Sequence, residues 1–467
     1  MEYSRREFIK KNAFGCAGVA LTTAIPATAG AETMFSRMNE KTGGALKISV
    51  FDVDATPPVG SYLTYDQMMG AWDLGLRAKG VVLTGAGAPI VTCAIDWIGI
   101  ANESQDAFKK TLADAVGTDP NRIAVHTLHQ HDAPICDFSA EKMLNEMGIA
   151  PMSFESSFQR EFLARLGKAA ADSLNGIRTV TDISVGKAPV YELASNRRVV
   201  EDGKLVTWRG CEGGNSVFHN LPEGLVDPDV TLLGFWEGDK PIAVMTFYAC
   251  HPISYYLTKI ANPDFPGVAR FYRQLAVPDA LHIHFNGAGG NVGGGKYNDA
   301  SHEIRMIFAK RLADGMERAW TSSVKIPVSA DDVSWKTEPV ALPVADEKIR
   351  QVESQIATSE MRFRSNNMQK IVWAKRTRAG KTIDIACLGV GKARVLFMPG
   401  ELFVEYQLAA KALRPDLAVS MAAYGDYGPF YIGTKEAYSQ GSYEISSSPV
   451  TGDSEEIIMT AFRKLLL

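Results

Sequence analysis

The sequence has no surplus of one charge. Its 49 Lys and Arg stand against 53 Asp and Glu, a formal net charge of −4 over 467 residues. This removes the basic field on which nucleic-acid binding depends. Cysteine is scarce, at six, so no disulfide framework holds the chain together. Long apolar runs are missing too. The uncharged stretch at 12–25 is too short for a typical spanning helix, and no transmembrane segment is expected in the mature chain. What remains is 46% hydrophobic and 22% charged, the composition of an ordinary soluble globular protein.

The N-terminus reads as an address. Ser4-Arg5-Arg6-Glu7-Phe8-Ile9-Lys10-Lys11 precedes the apolar run, and Ala27-Thr28-Ala29 offers a small-x-small cleavage site. The pattern resembles a twin-arginine export signal over residues 1–31. It predicts recognition by the twin-arginine export machinery and a periplasmic or secreted protein. Residues 32–467 would then form one domain. Cys93, Cys136, Cys211, Cys250 and Cys387 remain after cleavage, an odd number that leaves at least one free thiol.

Strand and helix patterns alternate along the rest. Strands are expected at 45–54, 79–84, 89–96, 122–131, 181–186, 230–236, 241–250, 280–285, 382–388, 393–398 and 419–424. Helices are expected at 103–116, 155–175, 301–320 and 401–413. Residues 344–376 are charged and helical, a possible insertion. The alternation predicts an α/β fold, one large domain with a mixed central β-sheet flanked by helices. No internal repeat is visible.

Only eight histidines are present, and three fall in His126-Thr127-Leu128-His129-Gln130-His131. On a strand, His129 and His131 would point the same way, about 7 Å apart, with His126 opposite. Asp132-Ala133-Pro134 stops the strand there and puts the pair at a rim. His251, in Tyr248-Ala249-Cys250-His251-Pro252, lies where another buried strand breaks. Glu401 stands between a strand and a helix, where a carboxylate is often merely electrostatically favoured. The loop 287–295 has six glycines and could cradle an anion with its N–H groups. Taken singly, each feature has a bland structural reading.

Their order along the chain resembles the catalytic domain of the neutral/alkaline, non-lysosomal ceramidase family. Asp54-Ala55-Thr56-Pro57 resembles its early Asp-x-Thr-Pro turn. Leu128-His129-Gln130-His131-Asp132-Ala133-Pro134 stands where the family has Thr-His-Thr-His-Ser-Gly-Pro. Asn196-Arg197-Arg198, Cys250-His251-Pro252, Asp264-Phe265-Pro266-Gly267 and Gly287-Ala288-Gly289-Gly290-Asn291 follow in the family's order. Pro399-Gly400-Glu401, then Tyr431 to Tyr438 and Tyr443-Glu444, close the set.

The resemblance implies a Zn²⁺ ion on His129, His251, Glu401 and Tyr431, with Tyr427 a rival for the last place. It implies that His131, Arg197 and Tyr443 face the substrate or the bound water. Gly293 stands where the family has its proposed nucleophilic serine. The sequence runs only to Leu467 after Tyr443, so a counterpart of the family's C-terminal immunoglobulin-like domain is not expected. The expected activity is therefore metal-dependent hydrolysis of an amide or ester in a small-molecule or lipid-like N-acyl substrate. The alternative is a non-catalytic periplasmic metal- or ligand-binding protein on the same fold.

Overall fold

The computed structural model describes residues 44–467; the expected export signal lies outside them. Three copies of one topological unit make up the framework. The first has strands β1 (Lys47–Asp54), β2 (Arg77–Gly85) and β3 (Gly87–Ile95), helix α1 (Glu103–Val116), strand β4 (Ile123–Thr127) and helix α2 (Ser157–Ser173), then a short strand, Arg178–Thr179. β1, β2 and β3 are successively antiparallel, and β4 lies parallel to β3. Such a parallel return needs a crossover, which α1 supplies.

The second unit repeats this with β5 (Asp182–Pro189), β6 (Asp229–Glu237), β7 (Lys240–Tyr248), α3 (Asp264–Ala276), β8 (Leu281–Asn286) and α4 (Ile304–Thr321). Again three antiparallel strands are followed by one parallel to the third. The third unit has β9 (Val333–Val340), helices α5 (Asp346–Gln355) and α6 (Met361–Arg378), β10 (Ile383–Val390), β11 (Ala393–Phe397), α7 (Val404–Leu413), β12 (Ala418–Ala422) and α8 (Ser454–Leu466). Its pairing is the same. The repeat that the sequence hides is thus a repeat of topology, because apolar alternation is all that each unit must conserve.

Both faces of each sheet are buried. Val81 of β2 joins Leu233 of β6, Met245 of β7, Leu388 of β10 and Val395 of β11 in a core shared by all three sheets. Their neighbours one residue along point outward. Val82 packs with Phe108 of α1 and Phe162 of α2. Leu232 packs with Val268 of α3 and Phe308 of α4. Leu396 packs with Tyr406 of α7 and Phe462 of α8. The α/β class stands, with the mixed strands divided among three main sheets around one core. Among the described residues no helix is long and apolar enough to cross a membrane.

In every unit the first, third and fourth strands run the same way, so their C-terminal ends share one end of the sheet. The connections there carry the chemistry. The helical stretch 344–376 resolves into α5 and α6, which fill the first-to-second-strand connection of the third unit. Met368, Ile371 and Val372 of α6 are buried against Tyr424, Tyr427 and Phe430.

Candidate metal centre

Just beyond the parallel strand pairs, each unit makes one more short parallel contact. Gly99–Ile100 meets Ile135–Cys136 in the first, His251 meets Gly293 in the second, and Glu401–Leu402 meets Tyr431–Ile432 in the third. His251 and Glu401 therefore occupy corresponding places in two units, and Gly99 has that place in the first. Glu401 lies in a two-residue strand, not in the helix expected from 401, which begins at Val404. Its N–H is taken by Phe430 O at 2.8 Å, which holds the segment extended.

The expected strand at 122–131 stops at Thr127, where the ladder to β3 ends. His129 then adopts a left-handed backbone, φ 69°, and its N–H bonds to Trp97 O at 2.9 Å. The bend brings the His129 and His131 rings to 5.0 Å, closer than strand spacing allows. His126 does point away, donating from Nδ1 to Ala423 O at 2.8 Å.

His129, His131 and His251 are all buried, and one ring nitrogen from each lies within 4.8 Å of the others. His129 Nδ1 donates to Ile98 O at 2.7 Å, which fixes the tautomer and leaves the Nε2 lone pair free. Glu401 Oε2 lies 3.3 Å from His129 Nε2 and 3.7 Å from His251 Nδ1. His129 Nε2, His131 Nδ1 and Glu401 Oε2 are buried without a hydrogen-bond partner. Unpaired acceptors this deep are costly, and their convergence fits a cation. Imidazole nitrogens and a carboxylate oxygen are donors that suit Zn²⁺. Burial pushes His131 and His251 well below the usual histidine range, and the neighbouring His129 ring and Arg197 add to it. Both rings are neutral and can offer lone pairs.

The two rival tyrosines have different partners. Tyr427 donates from its hydroxyl to Glu401 Oε1 at 2.8 Å. The Tyr431 hydroxyl accepts from Arg197 Nη1 at 3.2 Å. Burial first, then Glu401, raises both phenols well above 10, so both stay protonated. Arg197 also donates to Gly290 O at 3.2 Å, and its Nε is 3.4 Å from Glu444. Its guanidinium lies over Trp208, Tyr443 and Tyr431, at 4.8, 5.6 and 5.9 Å from the ring centroids. Burial opposes its charge, but its surroundings, the Glu444 carboxylate among them, outweigh that and hold it protonated. Tyr443 is half exposed and forms part of the rim.

The first half of the glycine loop, 287–290, is not free to cradle an anion. Gly287 donates to Tyr248 O, Ala288 to Gln407 Oε1 and Gly290 to Leu402 O, so these N–H groups are already used within the protein. Its glycines serve close approach instead. A Cβ on Gly290 would meet the Glu401 and Leu402 carbonyls, and one on Gly293 would fall under 3.0 Å from Cys211 Sγ. The Cys211 thiol fills the lobe that a side chain at 293 would need. Burial pushes this thiol up to about 12. All five described cysteines are buried and unpaired.

Four site neighbours went unassigned in the sequence. Tyr424, also left-handed at φ 62°, stacks on His129 at 4.3 Å. Tyr65 and Tyr256 flank His131 at 6.0 and 5.6 Å. Glu444 accepts from Trp208 Nε1 at 2.7 Å. The tyrosine-rich run 424–431 was the one local hint of this aromatic wall.

No protein-family model matches this sequence, and no curated protein matches it. Solved structures do. The crystal structure of neutral ceramidase from Pseudomonas aeruginosa aligns with a TM-score of 0.66 at 13% identity, covering 90% of this chain and 74% of that one. A ceramidase complexed with C2 aligns at 0.65 and 13% identity, covering 90% and 75%. The expected resemblance is therefore present in three dimensions, and this chain has the fold of the neutral ceramidases.

Proposed function

We propose that the protein is an exported zinc-dependent hydrolase acting on an amide, or an ester, of an N-acyl compound. The observation that carries this reading is the convergence of buried, unpartnered His129 Nε2, His131 Nδ1 and Glu401 Oε2 beside His251. The fold supports it, since the aligned structures are those of ceramidases. His129, His251 and Glu401 would hold the ion, with Tyr431 beside them. A zinc ion in such a site lowers the pKa of bound water to about 7 and polarises a carbonyl.

The chain's own residues supply the rest. His131 shares the nitrogen cluster, is neutral and has an unpartnered Nδ1, so it can accept a hydrogen bond that orients the attacking water or the substrate. Arg197, fixed in its aromatic cage, presents positive charge where an oxyanion would develop. Tyr443, at the rim, orients the substrate. The hydroxyl expected at 293 has no place here because Cys211 occupies it, so attack by water rather than by a serine suits this site.

Metal analysis of the purified protein together with a panel of N-acyl amides and esters tests the proposal. One zinc per chain, lost in the His129→Ala, His251→Ala double variant, and turnover abolished by Glu401→Ala are expected. Full metal content in the double variant overturns the site. Bound zinc with no turnover on any substrate favours the binding-protein alternative. The export proposal rests on residues 1–31. A reporter fused to them should stay inside the cell once Arg5 and Arg6 are both changed to Lys, and continued export would refute it.

A further inference from the structure

The three-unit architecture raises a question at the centre. His251 and Glu401 hold corresponding positions and both send side chains into the site, while the first unit has Gly99 there. The space beside Gly99 is not empty. A Cβ on Gly99 would lie 2.7 Å from Tyr427 Cγ and 3.0 Å from Cε1, inside the face of the ring. Tyr427 is pinned there from several sides. Its N–H donates to Ile100 O at 3.1 Å, Ile100 bridges Asp426, and Phe430 packs on its ring at 4.7 Å. From that seat its hydroxyl reaches Glu401 Oε1.

We infer that Tyr427 is a positioning residue, seated by Gly99, which occupies one carboxylate oxygen of Glu401 so that only Oε2 faces the imidazoles. This inference rests on the zinc reading above and adds to it the geometry of the carboxylate. With Oε1 engaged, Glu401 is a one-oxygen ligand of fixed orientation. Without Tyr427, both oxygens are free to turn and to chelate. Partners of this kind behind a ligand are typically worth 10–100-fold in metal affinity. The glycine is part of the device, because any larger residue at 99 displaces the ring.

Zinc affinity, measured by competition with a chromophoric chelator, tests this in wild type, Tyr427→Phe and Gly99→Ala. Phe keeps the ring packing, so the metal-free melting temperature should hardly move while the zinc Kd rises about 10–100-fold. Gly99→Ala should weaken zinc similarly by pushing the ring. Cobalt(II) gives a second readout: its visible d–d bands should weaken in Tyr427→Phe as a chelating Glu401 raises the coordination number. Unchanged zinc Kd and cobalt bands in Tyr427→Phe, with wild type binding zinc normally, overturn this inference alone. Wild type that binds neither metal overturns it together with the proposed function. If Gly99→Ala does not fold, Tyr427→Phe still decides.

Discussion

Gly293→Ser would restore the hydroxyl that the ceramidase resemblance leads one to expect, and the structure says it should not fit. The new Cβ would fall under 3.0 Å from Cys211 Sγ, with Cys211 Cβ at 3.5 Å and His251 Cβ at 3.6 Å. Cys211 is only 1% exposed, so its sulfur has little room to turn away. Overpacking of this kind costs about 1–3 kcal/mol. Cys211→Ala alone removes one buried atom and leaves a small void, at roughly 1 kcal/mol. The double variant Gly293→Ser, Cys211→Ala should fit, because the alanine vacates the lobe that the serine enters. The pair should therefore show a favourable coupling of about 1–3 kcal/mol in a double-mutant cycle. Equilibrium urea unfolding of the four proteins, all metal-free, measures it. Additive effects within about 0.5 kcal/mol would refute the claim that the thiol and the missing side chain compete for one space.

Other outcomes follow from the same geometry. Arg197→Lys keeps the charge but loses the planar fork over Trp208 and Tyr443; kcat should fall about 10–100-fold, and a variant with only its melting temperature altered would assign Arg197 to structure. Gly290→Ala places a methyl against the Glu401 and Leu402 carbonyls; it should cost about 1–3 kcal/mol and weaken zinc, whereas unchanged zinc affinity would show that the Glu401 segment tolerates the shift. Burial holds His126 at about 4 and His284 at about 3, so both stay neutral in the fold while the unfolded chain protonates them below about pH 6.5. Stability should then be lost as pH falls from about 6.5 towards 4, by about 3 kcal/mol at most for His126. His126→Asn should flatten this dependence in urea melts run from pH 7 to 4.5, and parallel curves would rule His126 out.

The metal-binding candidates were legible because each sits where a buried strand breaks. His129, His251 and Glu401 became candidates through the resemblance of the motif order to the neutral ceramidases, before any distance was known. What could not be read is everything that depends on non-local approach. The left-handed turn at His129 is set by Trp97, not by its own neighbours in sequence. The strand at Glu401 exists only because Tyr431 pairs with it. Gly293 looked like a missing function until Cys211 was found in its place. The division of labour between Tyr427 and Tyr431 depends on which of Glu401 and Arg197 each can reach. The threefold topology left no trace in the sequence because strand alternation fixes which faces are buried without fixing which residues bury them.

The placement of the imidazoles and the carboxylate on separate units has a consequence for biogenesis. His129 belongs to the first third of the framework, His251 to the second and Glu401 to the last. On the zinc reading proposed above, a nascent chain would have no complete site until its final third had been synthesised and had docked on the other two. Capture of the ion would then be a late event of maturation, reinforcing segments that are already tied there by Gly290 N–H to Leu402 O and Tyr427 N–H to Ile100 O. Zinc uptake during refolding should lag behind secondary structure, and a protein clipped in any one third should lose its metal as a whole.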